Sequence, residues 1–68
     1  MENKLEAYRS QKRLTQQDLA DRVGVSRQTI ISLERGRYNP SILLAYRLAQ
    51  EFGISIEDLF IFNEKEKK

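Results

Sequence analysis

Ser26, Arg27, Gln28 and Thr29 stand in a row, and Ser32 follows about one helical turn later. Arg carries a rigid fork of donors and Gln a donor beside an acceptor. Each can make two hydrogen bonds at once to a base edge, Arg to guanine and Gln to adenine. A Thr hydroxyl hydrogen-bonds while its methyl suits the methyl of thymine, and Ser serves either base. Set in the first turns of one exposed helix, these five side chains have the chemistry to read base edges in a nucleic-acid groove. The same residues also suit an ordinary solvated surface, so the elements around them decide. The chain offers little other chemistry. Its 68 residues include no Cys and no His, which excludes disulfides and the usual zinc ligands. No glycine-rich phosphate loop appears, and the carboxylates fall mostly on polar helix faces. Neither an enzyme nor a metal or cofactor site is expected.

The elements that must position these residues are five short helices. The first covers about Lys4 to Lys12, with Leu5 and Tyr8 on one face. The second starts at Thr15, an N-cap with Asp18 in capping-box position; its apolar stripe is Leu19, Ala20 and Val23, and Gly24 ends it. Ser26 caps the third, which runs to about Arg35 with Ile30 and Leu33 inward and stops at Gly36. After a loop at Tyr38-Asn39-Pro40, Ser41 caps a fourth helix with the stripe Leu44, Ala45, Leu48, Ala49 and Phe52, closed by Gly53. Ser55 caps a last helix through Leu59 and Phe60. No hairpin signal occurs. The expected fold class is all-α, one domain over residues 1–62, followed by a charged, frayed tail at 63–68.

The second and third helices are joined by a turn at Gly24-Val25. Ala20 is small where the two would approach, and Val25 and Ile30 would fill their corner. This is a helix-turn-helix arrangement, whose second helix lies in the major groove of DNA. The run LTQQDLADRVGVSRQTIISLERG (Leu14 to Gly36), with Arg9 before it, resembles the Cro/C1-type (XRE) helix-turn-helix family, and the likeness extends over about Leu5 to Leu59. It implies a five-helix, lambda-repressor-like DNA-binding domain of the short, stand-alone kind, and with it transcriptional regulation, most simply repression.

The resemblance also implies roles on the backbone side of the DNA. Gln16 matches a family position that braces a phosphate and the recognition helix. Arg35, Arg37, Tyr38 and Asn39 form the loop that runs along phosphates, where contacts add salt-dependent affinity but no sequence code. Helix-start amides near Thr15 and Ser41 are further phosphate sites. Arg9 and Glu34 are expected to form a structural ion pair. Arg13 stands where relatives often carry Gly, so the first turn is expected to be shaped differently, and Ile31 replaces a commonly polar residue.

Residues 1–47 carry nine basic and five acidic side chains, a net +4, whereas residues 48–68 carry three basic and five acidic, a net −2. A polyanion on one side of the molecule fits that asymmetry. The C-terminal part is instead rich in large apolar side chains: Ile54, Ile56, Leu59, Phe60, Ile61 and Phe62. Ile54 and Leu59 are expected in the core. Ile56, Phe60, Ile61 and Phe62 are too many for one short helix to bury and are expected at a homodimer seam. Two copies would read a palindromic duplex. An alternative gives the same surface to a protein partner, in an antitoxin-like or adaptor module. No segment has the length or character of a membrane span or a signal peptide, so a cytoplasmic location is expected.

Overall fold

The computed structural model describes residues 1–62; the tail at 63–68 lies outside the described residues. Five helices follow one another: α1 (Leu5–Gln11), α2 (Gln16–Val23), α3 (Arg27–Glu34), α4 (Ile42–Phe52) and α5 (Ile56–Leu59). The first is shorter than expected by one residue at each end. Side-chain hydroxyls start four of them. Thr15, Ser26, Ser41 and Ser55 accept from the amides of Asp18, Thr29, Leu44 and Asp58, at 2.9, 3.2, 3.1 and 3.1 Å. Asp18 completes the capping box by accepting from the Thr15 amide at 3.0 Å. Each bond satisfies a helix-start amide that has no partner inside the helix.

The turn after α1 places Arg13 in a left-handed conformation, at φ +58°. The Leu14 amide donates to the Arg9 carbonyl and the Arg13 amide to that of Ser10, at 3.1 and 3.0 Å. That pair is a Schellman closure with a side chain where glycine is favoured. Arg13 thus holds, under strain, a conformation that a Gly would adopt at little cost.

α2 packs on α3 and α4, α5 on α4, and α1 on α3. Leu5, Leu19, Ala20, Val23, Ile30, Leu33 and the whole α4 stripe are buried together with Leu59 and Phe60. Val25, Ile54 and Ile56 pack against this core. Tyr8 stacks obliquely on Phe52 with ring centroids 5.7 Å apart.

Phe60 departs from its expected place at a seam: it is 1% exposed. The reason lies at the other end of the chain. Met1–Lys4 run antiparallel to the segment after α5 and bridge at Asn3 and Phe60. The Lys4 amide donates to the Leu59 carbonyl at 2.8 Å, and the Ile61 amide to that of Glu2 at 2.9 Å. This two-ended strap turns Phe60 inward and leaves Ile61 and Phe62 outside, 41% and 59% exposed.

Candidate nucleic-acid interface

Two capped helices and the turn between them set the site. Gly24 ends α2 at φ +78°, a conformation that costs glycine little, and Val25 then donates to the Ala20 carbonyl at 3.0 Å. The chain reverses within two residues and Ser26 starts α3. Ile30 and Leu33 anchor α3 from below, both 0% exposed. The opposite face is therefore presented outward, with Arg27 and Gln28 exposed and Thr29, Ile31 and Ser32 half-buried.

Arg27, Ile31, Glu34 and Arg35 share a groove of about 320 Å³ with Gln16 of α2 and Glu6 of α1. The spacing i, i+4, i+7 puts the α3 members on one face. A carboxylate in such a groove repels a polyanion; Glu6 is exposed at the α1 edge, whereas Glu34, on α3 itself, is enclosed by donors. Arg9 Nε donates to its Oε2 at 2.6 Å and Nη2 to its Oε1 at 3.3 Å. Gln16 Nε2 adds 3.1 Å to Oε1, and the remaining Arg9 arm, Nη1, holds the Leu14 carbonyl at 2.8 Å. The hydrogen bond to Glu34 raises the Arg9 pKa above its ordinary value, against some desolvation. An Arg guanidinium stays charged throughout the accessible pH range, and the expected Arg9–Glu34 pair is present.

The expected base-facing residues are not equivalent. The hydroxyls of Ser26 and Thr29 lie 3.0 Å apart and bond to each other, so their first use is in capping. Gln28 Nε2 sits 3.5 Å from Ser32 Oγ, at the outer limit of a hydrogen bond. Arg27 lines the groove without an ion-pair partner among the described residues. On the backbone side, Thr15 is exposed at the start of α2, and Arg35, Arg37, Tyr38 and Asn39 are exposed after α3.

The chain matches the family model described as helix-turn-helix over residues 5–59. It belongs to the Cro/C1-type (XRE) helix-turn-helix family. It is 54% identical over 66 residues to an uncharacterized HTH-type transcriptional regulator of Methanocaldococcus jannaschii, covering 97% of this chain and 100% of that one. Among solved structures it is similar to the restriction-modification controller protein C.AhdI of Aeromonas hydrophila, with TM-score 0.75, 34% identity, and 82% and 85% of the two chains covered. It is also similar to the SOS-response transcriptional repressor LexA of Eubacterium rectale, with TM-score 0.78, 30% identity, and 94% and 66% covered. This XRE-family protein is thus an all-α, lambda-repressor-like DNA-binding transcriptional regulator rather than an enzyme.

Two features of the regulator escaped the reading of its sequence. Ile42, the first residue of α4, is 86% exposed. With Phe62, Pro40 and Ile56 it lines an apolar groove of about 130 Å³. Its spacing of three from Ala45 was the available signal. The other feature is Asn3: its bonds to Met1 and Leu5 are local, but its bond to the Leu33 carbonyl is distant in sequence and left no local pattern.

Proposed function

We propose that this regulator binds a roughly palindromic operator in double-stranded DNA as a homodimer and represses transcription by occupying it. The observation that carries the reading is the groove beside α3, where exposed Arg27 and half-buried Ile31 lie next to a Glu34 whose charge Arg9 balances and which Gln16 also hydrogen-bonds. In this reading Arg27 and Gln28 supply the paired base contacts, Ile31 meets thymine methyls, and Ser26, Thr29 and Ser32 contribute at the edge. Gln16 has committed one amide hydrogen to Glu34, which leaves the other for a phosphate. Thr15, Arg35, Arg37, Tyr38 and Asn39 hold the backbone.

The seam of the proposed dimer is Ile56, Ile61 and Phe62, now joined by Ile42 and without Phe60. Repression needs nothing beyond occupancy, and the name of the LexA neighbour supports that sign. No described helix is long and apolar enough to cross a membrane, and we place the regulator in the cytoplasm with the DNA it reads.

Selection from a random duplex pool at low salt tests the reading. The expected result is an enriched motif of two inverted half-sites with centres about 34 Å apart. A pool in which no motif is enriched would overturn it.

A further inference from the structure

Asn3 lies outside the groove, yet it is tied to the helix that lines it. Its Nδ2 donates to the Leu33 carbonyl at 2.7 Å and to the Met1 carbonyl at 3.2 Å. Its Oδ1 accepts from the Leu5 amide at 3.0 Å and so starts α1, where Lys4 supplies no side-chain cap. Both amide hydrogens and the oxygen are thus engaged within the chain. The side chain has no donor left for DNA, and any influence on recognition runs through α3.

Leu33 is where that influence enters. Its carbonyl also accepts from the Gly36 amide at 3.0 Å, and the neighbouring Ser32 carbonyl accepts from Arg37 at 3.1 Å. These two bonds form the Schellman closure of α3, with Gly36 at φ +72°. The closure sets the direction in which the chain leaves the recognition helix toward Arg37, Tyr38 and Asn39. Asn3 occupies the remaining acceptor site of Leu33 from a strand that is itself clamped to Phe60 and Ile61. The joint between α3 and the loop after it is therefore tied to the strap that joins Met1–Lys4 to the segment after α5.

We infer that Asn3 is a positioning residue for DNA recognition: by holding the Leu33 carbonyl, it fixes α3 relative to the loop that follows, so that base and phosphate contacts are made together. The inference rests on the DNA-reading assignment of α3. Misplaced contacts weaken the matched site more than they weaken a nonspecific one, where only charge counts.

The test separates the two jobs of the side chain. Asn3→Asp keeps the acceptor for Leu5 but cannot donate to Leu33, and Asn3→Ser keeps a short acceptor that cannot reach it. Ser55→Ala, at the α5 cap, is the control for general destabilisation. Two quantities are measured on the full chain. One is amide exchange at Gly36 and Arg37 relative to Leu48. The other is the ratio of affinities for the selected duplex and for a scrambled duplex at one salt concentration. In Asn3→Ser, and in Asn3→Asp if it folds, exchange at Gly36 and Arg37 is expected to quicken selectively and the ratio to fall by about tenfold, the cost of one poorly read base pair. Ser55→Ala is expected to leave both within about twofold. Unchanged exchange at Gly36 and Arg37 in Asn3→Ser overturns the inference. So does an unchanged affinity ratio, or a ratio that falls equally in Ser55→Ala. If the wild type selects no duplex, the functional reading fails instead, and the exchange measurement still decides whether Asn3 holds the joint.

Discussion

Arg27 and Arg37 are both exposed arginines, one at the start of α3 and one just beyond its end, and the proposed function gives them different work. Arg27 lies in the groove beside Ile31, whereas Arg37 opens the loop after Gly36. Arg27→Ala is expected to weaken operator binding by roughly 1–3 kcal/mol and to relax preference at one or two base pairs. Gln28→Ala should do the same at a different pair. Arg37→Ala should weaken every duplex alike and lower the salt slope by about one unit. Affinities measured over a salt series against operator and scrambled duplexes separate the classes, and identical behaviour would sink the assignment. The Arg9–Glu34 pair makes a second prediction at this scale. The two side chains are 14% and 6% exposed, so removing one partner strands a largely buried charge. Arg9→Met should cost roughly 3 kcal/mol in stability and also reduce DNA affinity, by leaving a bare carboxylate near the phosphates. Adding Glu34→Gln to that variant should restore most of the affinity. Denaturant melts and duplex titrations of the single and double variants check this.

The helices themselves were legible because their boundaries are local. Thr15, Ser26, Ser41 and Ser55 announce starts, and Gly24, Gly36 and Gly53 announce ends, through bonds that span three to five residues. The α3 face that carries Arg27 and Gln28 followed from the same local periodicity. The tie of Asn3 to Leu33, the groove beside Ile42 and the burial of Phe60 were not legible, because each depends on which distant segment arrives alongside. The strap that buries Phe60 joins residues almost sixty positions apart. Arg13 holds φ +58°, a left-handed conformation that costs a residue with a Cβ about 1–2 kcal/mol. Arg13→Gly removes the strain but loosens the unfolded chain. The expected net gain is about 0.5–1 kcal/mol, read as a higher denaturation midpoint. At the start of α2, bonds from the Thr15 amide lower the Asp18 pKa, with help from the Thr15 hydroxyl and Arg22. A depressed carboxyl stabilises the fold fully above its unfolded value near pH 4 and loses that contribution as pH falls through the lower folded value. Asp18→Asn should therefore flatten the acid limb of a thermal-midpoint profile and leave its shape near neutrality unchanged.

For the molecule as a whole, the question is what covers the apolar edge that the strap leaves open. A 68-residue chain buries a modest fraction of its surface and is marginal alone, and it has no Cys to add a covalent tie. Ile42 and Phe62 stand 86% and 59% exposed beside one groove, while Leu43 and Tyr46 are exposed elsewhere on α4. Full burial of such a side chain contributes roughly 1.5–3 kcal/mol. In a two-fold contact every residue counts twice, so the exposed parts of Ile42 and Phe62 together offer roughly 4–9 kcal/mol. That is comparable with the lower range of the cost of association, about 4–15 kcal/mol. The balance points to a dimer of moderate strength, completed on DNA, where two half-sites hold the copies side by side. Ile42→Ser with Phe62→Ser should therefore yield a folded monomer that binds one half-site and has lost most of its operator affinity. Phe60→Ala behaves differently, because Phe60 belongs to the core. It should cost roughly 3–5 kcal/mol, enough to unfold much of a domain this small, and it should not produce a folded monomer. Sedimentation of the free protein and of its DNA complex, with circular dichroism on each variant, distinguishes the two. A wild type that remains monomeric at high micromolar concentration and binds its operator one copy at a time, without cooperativity, would remove the seam.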